Sequence, residues 1–226
     1  MAVLVQITGY PGEGKSYASR NMDPKTTFFI DADSKGLAWT GWRKDFNTEN
    51  KNYVSDVSNP SSVYAYLEAV SEKRPEVNVV IVDTISTMMS DTEVTAMKKP
   101  SFDAWRDYAV DIYELYGKAH SLRDDLIIVF VAHPMLINDK DNPYKQKLVT
   151  KVGGKKLTTM NLGGKINYNL YTEVKRDGKG GGEYFFLTQS DGVNEARSVH
   201  GVLEYRIPND LNEVVKAIRS KDLMID

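Results

Sequence analysis

Gly9-Tyr10-Pro11-Gly12-Glu13-Gly14-Lys15-Ser16 matches the pattern G-x-x-x-x-G-K-[ST], and it directly follows an apolar run containing Val3, Leu4, Val5 and Ile7. A strand feeding such a loop, with a helix-compatible stretch behind it, is the context in which the pattern holds phosphate. Glycines let backbone N–H groups turn inward around anionic oxygens, a lysine brings charge to the β and γ phosphates, and a hydroxyl opening the helix ligates Mg2+. Residues Pro11, Gly12, Glu13, Gly14, Lys15, Ser16 and Tyr17 are therefore expected to hold a nucleoside triphosphate, read as ATP. Ser16 is expected to bind the metal as well.

Outward from that loop, Val79-Val80-Ile81-Val82-Asp83-Thr84 is a continuous apolar run ending in a carboxylate. Such a run fits a strand buried on both faces of a parallel sheet, and its final acid emerges in the crevice where these sheets bind ligands. Asp83 is the expected second partner of Mg2+, opposite Ser16.

Composition narrows the rest. The 226 residues carry 29 Lys and Arg against 31 Asp and Glu, a net charge of −2. General polyanion coating is disfavoured, and nucleic-acid contact has to be local. With no cysteine and three scattered histidines, disulfides, thiol catalysis and the usual zinc sites drop out. No apolar run reaches the ~18 residues of a membrane span and no secretory leader is evident, so a cytoplasmic protein without membrane contact is expected.

Strand-like and helix-like segments alternate along the chain, which predicts one α/β domain over residues 1–226. Strands are expected over 3–8, 26–31, 79–83 and 126–132, with a short helix over 15–21. A helix is expected to open at Pro60 and to stop near Pro75. A longer one carries Phe102, Trp105, Ala109, Ile112, Tyr116 and Ala119 as a core stripe. Residues 138–165 contain seven lysines and four glycines without a sustained period, and read as a long mobile loop. Tyr171 to Lys175, Glu183 to Thr188 and Ala196 to Val199 read as two consecutive antiparallel hairpins. Asp210-Leu211-Asn212-Glu213 opens a final helix through Arg219.

The order of these parts resembles the RecA-type recombinases. Phe28-Phe29-Ile30-Asp31-Ala32-Asp33 is similar to the strand that ends in their catalytic acid, with Asp33 where that family has Glu. Phe130-Val131-Ala132-His133 is similar to the strand that ends in a γ-phosphate-sensing residue. Asn161-Leu162-Gly163-Gly164-Lys165-Ile166-Asn167-Tyr168 resembles the boundary after the second DNA-binding loop, and Glu195-Ala196-Arg197 falls where a basic residue faces a neighbour's nucleotide. The narrower likeness is to phage-encoded RecA-core ATPases of single-strand annealing and recombination. It covers about residues 3 to 200.

The resemblance implies a RecA-like P-loop core, with a mostly parallel central sheet, flanking helices and an antiparallel hairpin extension near the C-terminus. It implies Asp33 as the base that orients water, His133 as phosphate sensor and Arg197 as a finger acting on a neighbouring copy, beside Lys15 and Asp83 in catalysis. Asp31 is the alternative base. Lys145, Lys147, Lys151, Lys155 and Lys156 would follow a single-stranded phosphate backbone, with Tyr144 stacking on a base, or else only solvate their loop. Trp39 and Trp42 either flank the adenine or pack in the core. Expected partners are single-stranded DNA, further copies of the chain and a single-strand binding protein. The N-terminal arm by which RecA-type subunits link into filaments is expected to be absent, so assembly would use another surface. Two rival functions remain: a kinase, disfavoured because the long loop holds lysines but no arginine for a lid, and an ATP-binding switch that hydrolyses negligibly.

Overall fold

The computed structural model describes residues 1–98, 102–138, 142, 145–152, 162–178 and 181–225, the side chains of 102–105 excepted. Its centre is an eight-stranded sheet in the order β10-β9-β8-β1-β5-β4-β2-β3. The strands are β1 (Val3–Thr8), β2 (Thr27–Asp31), β3 (Tyr53–Ser55), β4 (Val79–Asp83), β5 (Ile127–Ala132), β8 (Tyr168–Arg176), β9 (Gly182–Leu187) and β10 (Arg206–Pro208). From β3 across to β8 all neighbours are parallel, whereas β9 and β10 add antiparallel. This is the mostly parallel α/β sheet with an antiparallel extension that the sequence predicts.

Both faces are covered, which is why the central strands read as unbroken apolar runs. Alternate residues point to opposite sides. Leu4, Ile30, Val80, Val82, Ile128 and Phe130 pack beneath α2 (Pro60–Lys73), α3 (Ile85–Lys98) and α4 (Phe102–His120). Val3, Val5, Ile7, Phe29, Ile81 and Val129 pack against Ala18, Trp42 of the short α1 (Trp42–Asp45), and Leu211, Val214 and Ile218 of α5 (Leu211–Ile218). Helix starts follow their capping chemistry. Asn59 accepts from the Ser62 N–H at 2.9 Å, ahead of Pro60 at the first turn, and Asp210 accepts from the Asn212 N–H at 3.0 Å.

Several local expectations are corrected. Residues 138–165 are not one featureless loop, because β6 (Pro134–Asn138) and β7 (Gln146–Thr150) form a separate antiparallel hairpin. Leu148 of β7 also bridges to Asn194, a distant pairing that no local period announces. The third strand of the extension is Arg206–Pro208 and not 196–199. Ser190, Asp191 and Asn194 bond neighbouring backbone and curl that stretch, leaving one bridge from Arg197 to Asn169. The short helix after the phosphate loop is a 3-10 helix, Ser16–Asn21. Helix α3 was unforeseen, since only Ile85, Ser86, Met88 and Met89 of its first turns are buried and its outer turns carry no apolar stripe. Of the expected α4 stripe, Ala109, Ile112, Tyr116 and Ala119 are buried, and the Phe102 and Trp105 side chains lie outside the described residues.

Candidate functional site

Sheet register brings the distant motifs to one edge. Thr8, the last residue of β1, lies level with Ala132 of β5 and Tyr171 of β8, while Asp31 of β2 lies level with Asp83 of β4. The loop after β1, His133 after β5, Asp33 after β2 and Asp83 therefore leave the sheet at the same carboxyl edge, where open parallel sheets bind ligands.

The loop is shaped by close approach and by left-handed backbone. At Gly9 any Cβ would stand 1.7 Å from the Thr172 hydroxyl of β8, so no other residue fits. Gly12 and Gly14 adopt φ of 81° and 82°, where glycine carries no steric penalty. Glu13 folds back across the loop, its carboxylate accepting from the Tyr10 N–H and the Thr172 hydroxyl, each at 2.7 Å. Pro11 and Gly12 are exposed at the tip. A cavity of about 500 Å3 opens beside the loop, lined by Gly12, Gly14, Lys15, Ser16, Tyr17, Ala38 and Tyr184.

Lys15 is 7% exposed and its Nζ donates to the Tyr10 carbonyl at 2.9 Å. Burial lowers its pKa, an effect opposed by Asp83, Glu13 and Asp33 nearby. Asp83 is equally buried. Burial pushes its carboxyl up to about 6, against the hydrogen bond from Ser16, while Asp33 and Asp31 push the same way as burial. A desolvated carboxylate facing a hydroxyl is a site that gains from a cation. Mg2+ fits this pair, because it takes hard oxygen donors and needs only one or two carboxylates when phosphates complete its shell. Among the described residues there is no cluster of three or more His, Cys, Asp or Glu for another metal.

Asp33 stands close by, its backbone N–H 3.3 Å from the Asp83 carbonyl oxygen. The Lys35 ammonium lies 2.8 Å from its carboxylate. Burial opposes ionisation of Asp33, but Lys35 and the Thr84 and Thr87 hydroxyls outweigh it and hold the pKa below the ordinary value. Asp31 is differently engaged: the Gly36 N–H and the Tyr53 hydroxyl donate to it at 2.7 and 2.6 Å. His133 faces Lys15 and the Gly9 backbone; burial and the Lys15 charge lower its pKa, and its Nδ1 is buried without a partner. Its own N–H donates to Ser86 Oγ at 2.9 Å.

The remaining expected residues sit apart. Arg197 turns its guanidinium onto the Gly163 and Ile166 carbonyls of its own chain. Trp42 is 8% exposed and packs on Tyr53, while the half-buried Trp39 packs against Phe29 and Phe46, contacts that fit core packing. Lys147 pairs with Glu195 at 3.7 Å, Lys145 and Lys151 are exposed, and Lys155, Lys156 and Tyr144 lie outside the described residues. The Lys151 N–H donates to the His133 carbonyl at 2.7 Å, tying the base of the basic segment to the candidate sensor. Sequence reading missed Thr87, Ser86 and Thr172, whose parts in the site depend on contacts across the sheet edge. No helix among the described residues is long and apolar enough to cross a membrane. No curated protein matches the sequence. The motifs, the sheet and the shared edge agree with the family assignment: the profile of the AAA domain matches residues 1–199, and the chain belongs to that family of P-loop ATPases.

Proposed function

We propose that the whole chain acts as one Mg2+-dependent ATPase that works on single-stranded DNA in annealing or recombination of the phage RecA-core type, in the cytoplasm and as a homo-oligomer. The observation that carries the nucleotide half is the convergence of Lys15, Ser16, Asp33, Asp83 and His133 at one sheet edge. Lys15 moves from the Tyr10 carbonyl to the phosphates, exchanging a neutral acceptor for anionic ones. Ser16 and Asp83 would hold Mg2+, whose charge would stabilise the transferred phosphoryl group when bound. Asp33 orients the attacking water, and His133, neutral near pH 7, offers its unpartnered ring nitrogen to the γ-phosphate region.

Support for the DNA half is the link from His133 through the Lys151 N–H into the lysine-bearing segment, together with the RecA-type resemblance. Phosphate occupancy at His133 would bias that segment's conformation. Measuring ATP turnover with and without single-stranded DNA tests the reading: stimulation by DNA is expected, and equal rates would remove the DNA half.

A second reading, an ATP-binding switch with negligible hydrolysis, is favoured by one observation. Asp33 is ion-paired with Lys35 and its pKa is depressed, which makes it a weak base. The same assay separates the two, because a switch binds ATP without releasing phosphate.

A further inference from the structure

Asn209 follows β10 and precedes the cap of α5. It is 5% exposed, yet neither polar atom of its side-chain amide has a hydrogen-bond partner. Burying an amide unpaired is costly, so such a group in a folded protein calls for an explanation. The backbone around it is firmly held. The Asn209 N–H donates to the Tyr184 carbonyl at 3.1 Å, and Arg20 Nη1 donates to the Asn209 carbonyl at 3.0 Å.

The amide lies against the phosphate loop. A Cβ built on Gly14 would stand 3.3 Å from Asn209 Oδ1 and 3.0 Å from the Tyr184 ring, so Gly14 is what lets both side chains come this close. Tyr184 lines the cavity beside the loop from one side, and Tyr17, one residue beyond Ser16, lines it from the other. Both rings are partly open to solvent, 37% for Tyr184 and 43% for Tyr17. One face of Tyr17 is taken by the Arg20 guanidinium at 4.4 Å. The cavity thus joins phosphate donors and two aromatic walls, and the buried Asn209 amide lies behind its Gly14 wall.

Resting on the reading of this loop as a triphosphate site, we propose that Asn209 reads the adenine base and that Tyr184 is its stacking wall. An amide presents a donor and an acceptor side by side. Adenine answers with N7 and the N6 amino group on one edge, whereas guanine presents two acceptors there and satisfies only the donor. In the free chain the Tyr184 ring and the amide both border Gly14. An entering base displaces the ring, stacks on it, and supplies the two hydrogen bonds that Asn209 lacks. The orphaned amide is kept because its partner is the ligand.

The test compares Mg-ATP and Mg-GTP binding to the full chain by titration calorimetry, with thermal melts of the free protein. Asn209→Ala should weaken ATP binding by ~10-fold or more and leave GTP binding within about a factor of two, collapsing the preference. Its free-state melting temperature should not fall, because the amide has no hydrogen bond to lose. Tyr184→Leu should weaken both nucleotides alike by ~5- to 10-fold, and Tyr184→Phe should restore them. Wild-type affinity and preference in Asn209→Ala and Tyr184→Leu, with Lys15→Ala still unable to bind either nucleotide, would overturn the base pocket while sparing the phosphate site. Wild-type binding by Lys15→Ala would overturn the phosphate site, and the base pocket with it.

Discussion

The Lys35 ammonium sits 2.8 Å from the Asp33 carboxylate, so the carboxylate proposed to orient water is neutralised by a neighbour two positions along its own loop. Lys35 is largely exposed and Asp33 largely buried. A side chain held by one contact at the surface leaves readily, whereas the acid it covers stays buried, its pKa also lowered by the nearby Thr84 and Thr87 hydroxyls.

Removing that cover should therefore raise activity. Lys35→Ala is expected to increase ATP turnover several-fold with ATP affinity little changed, since it frees Asp33 and lets its pKa rise. Asp33→Asn should lower turnover by ~10²-fold or more while keeping affinity, the range for loss of a general base. Steady-state phosphate release checks both, and equal rates in the two variants would count against Asp33.

Lys15→Ala should abolish tight ATP binding and leave the free chain folded. The ammonium makes a single hydrogen bond, to the Tyr10 carbonyl, and no core contact depends on it. Nucleotide titration with circular dichroism on the same sample is the check, and unchanged affinity would sink the phosphate-loop assignment.

Asp83 predicts a pH dependence of stability without nucleotide. Burial pushes its carboxyl up to about 6 in the folded chain, above the ordinary aspartate value of ~3.9, so the folded state binds the proton more tightly than the unfolded chain. The ionised acid then costs stability at about pH 8, on the order of 3 kcal/mol, and the cost fades as pH falls through the folded value. His133 shifts in the opposite sense but is common to both proteins compared. Asp83→Asn should melt higher than wild type at about pH 8, and the gap should shrink toward about pH 5. A gap independent of pH would show that the acid is not strained in the free state.

If Lys145, Lys147, Lys151, Lys155 and Lys156 contact phosphates, single-strand affinity should fall with salt at a log–log slope near −0.7 per contact. Replacing Lys151, Lys155 and Lys156 by Ala should make that slope shallower by about two units and barely change ATP binding in the absence of DNA. Filter binding across a salt series decides it. An unchanged slope would leave these lysines as solvating charges only.

The phosphate loop was legible because its chemistry is local: seven or eight consecutive residues carry the turn, the charge and the hydroxyl. The strand of Asp83 was legible because burial on both faces leaves an unbroken apolar run. The β6–β7 hairpin was not, since its alternation is weak and β7 also draws on a bridge to Asn194, far along the chain. Helix α3 escaped for a related reason, burying residues only in its first turns.

Sequence by itself determined the nucleotide site's charged parts and the parallel α/β sheet that presents them, because motif and strand period are properties of neighbouring residues. Tertiary structure alone decided which acids are free to act. Asp31 and Asp33 stand two residues apart and look alike in sequence, yet Tyr53 and Gly36 occupy one and Lys35 covers the other. It alone also set Asn209 and Tyr184 against Gly14, since contact across nearly two hundred residues follows from how the sheet's strands are ordered and not from any spacing along the chain.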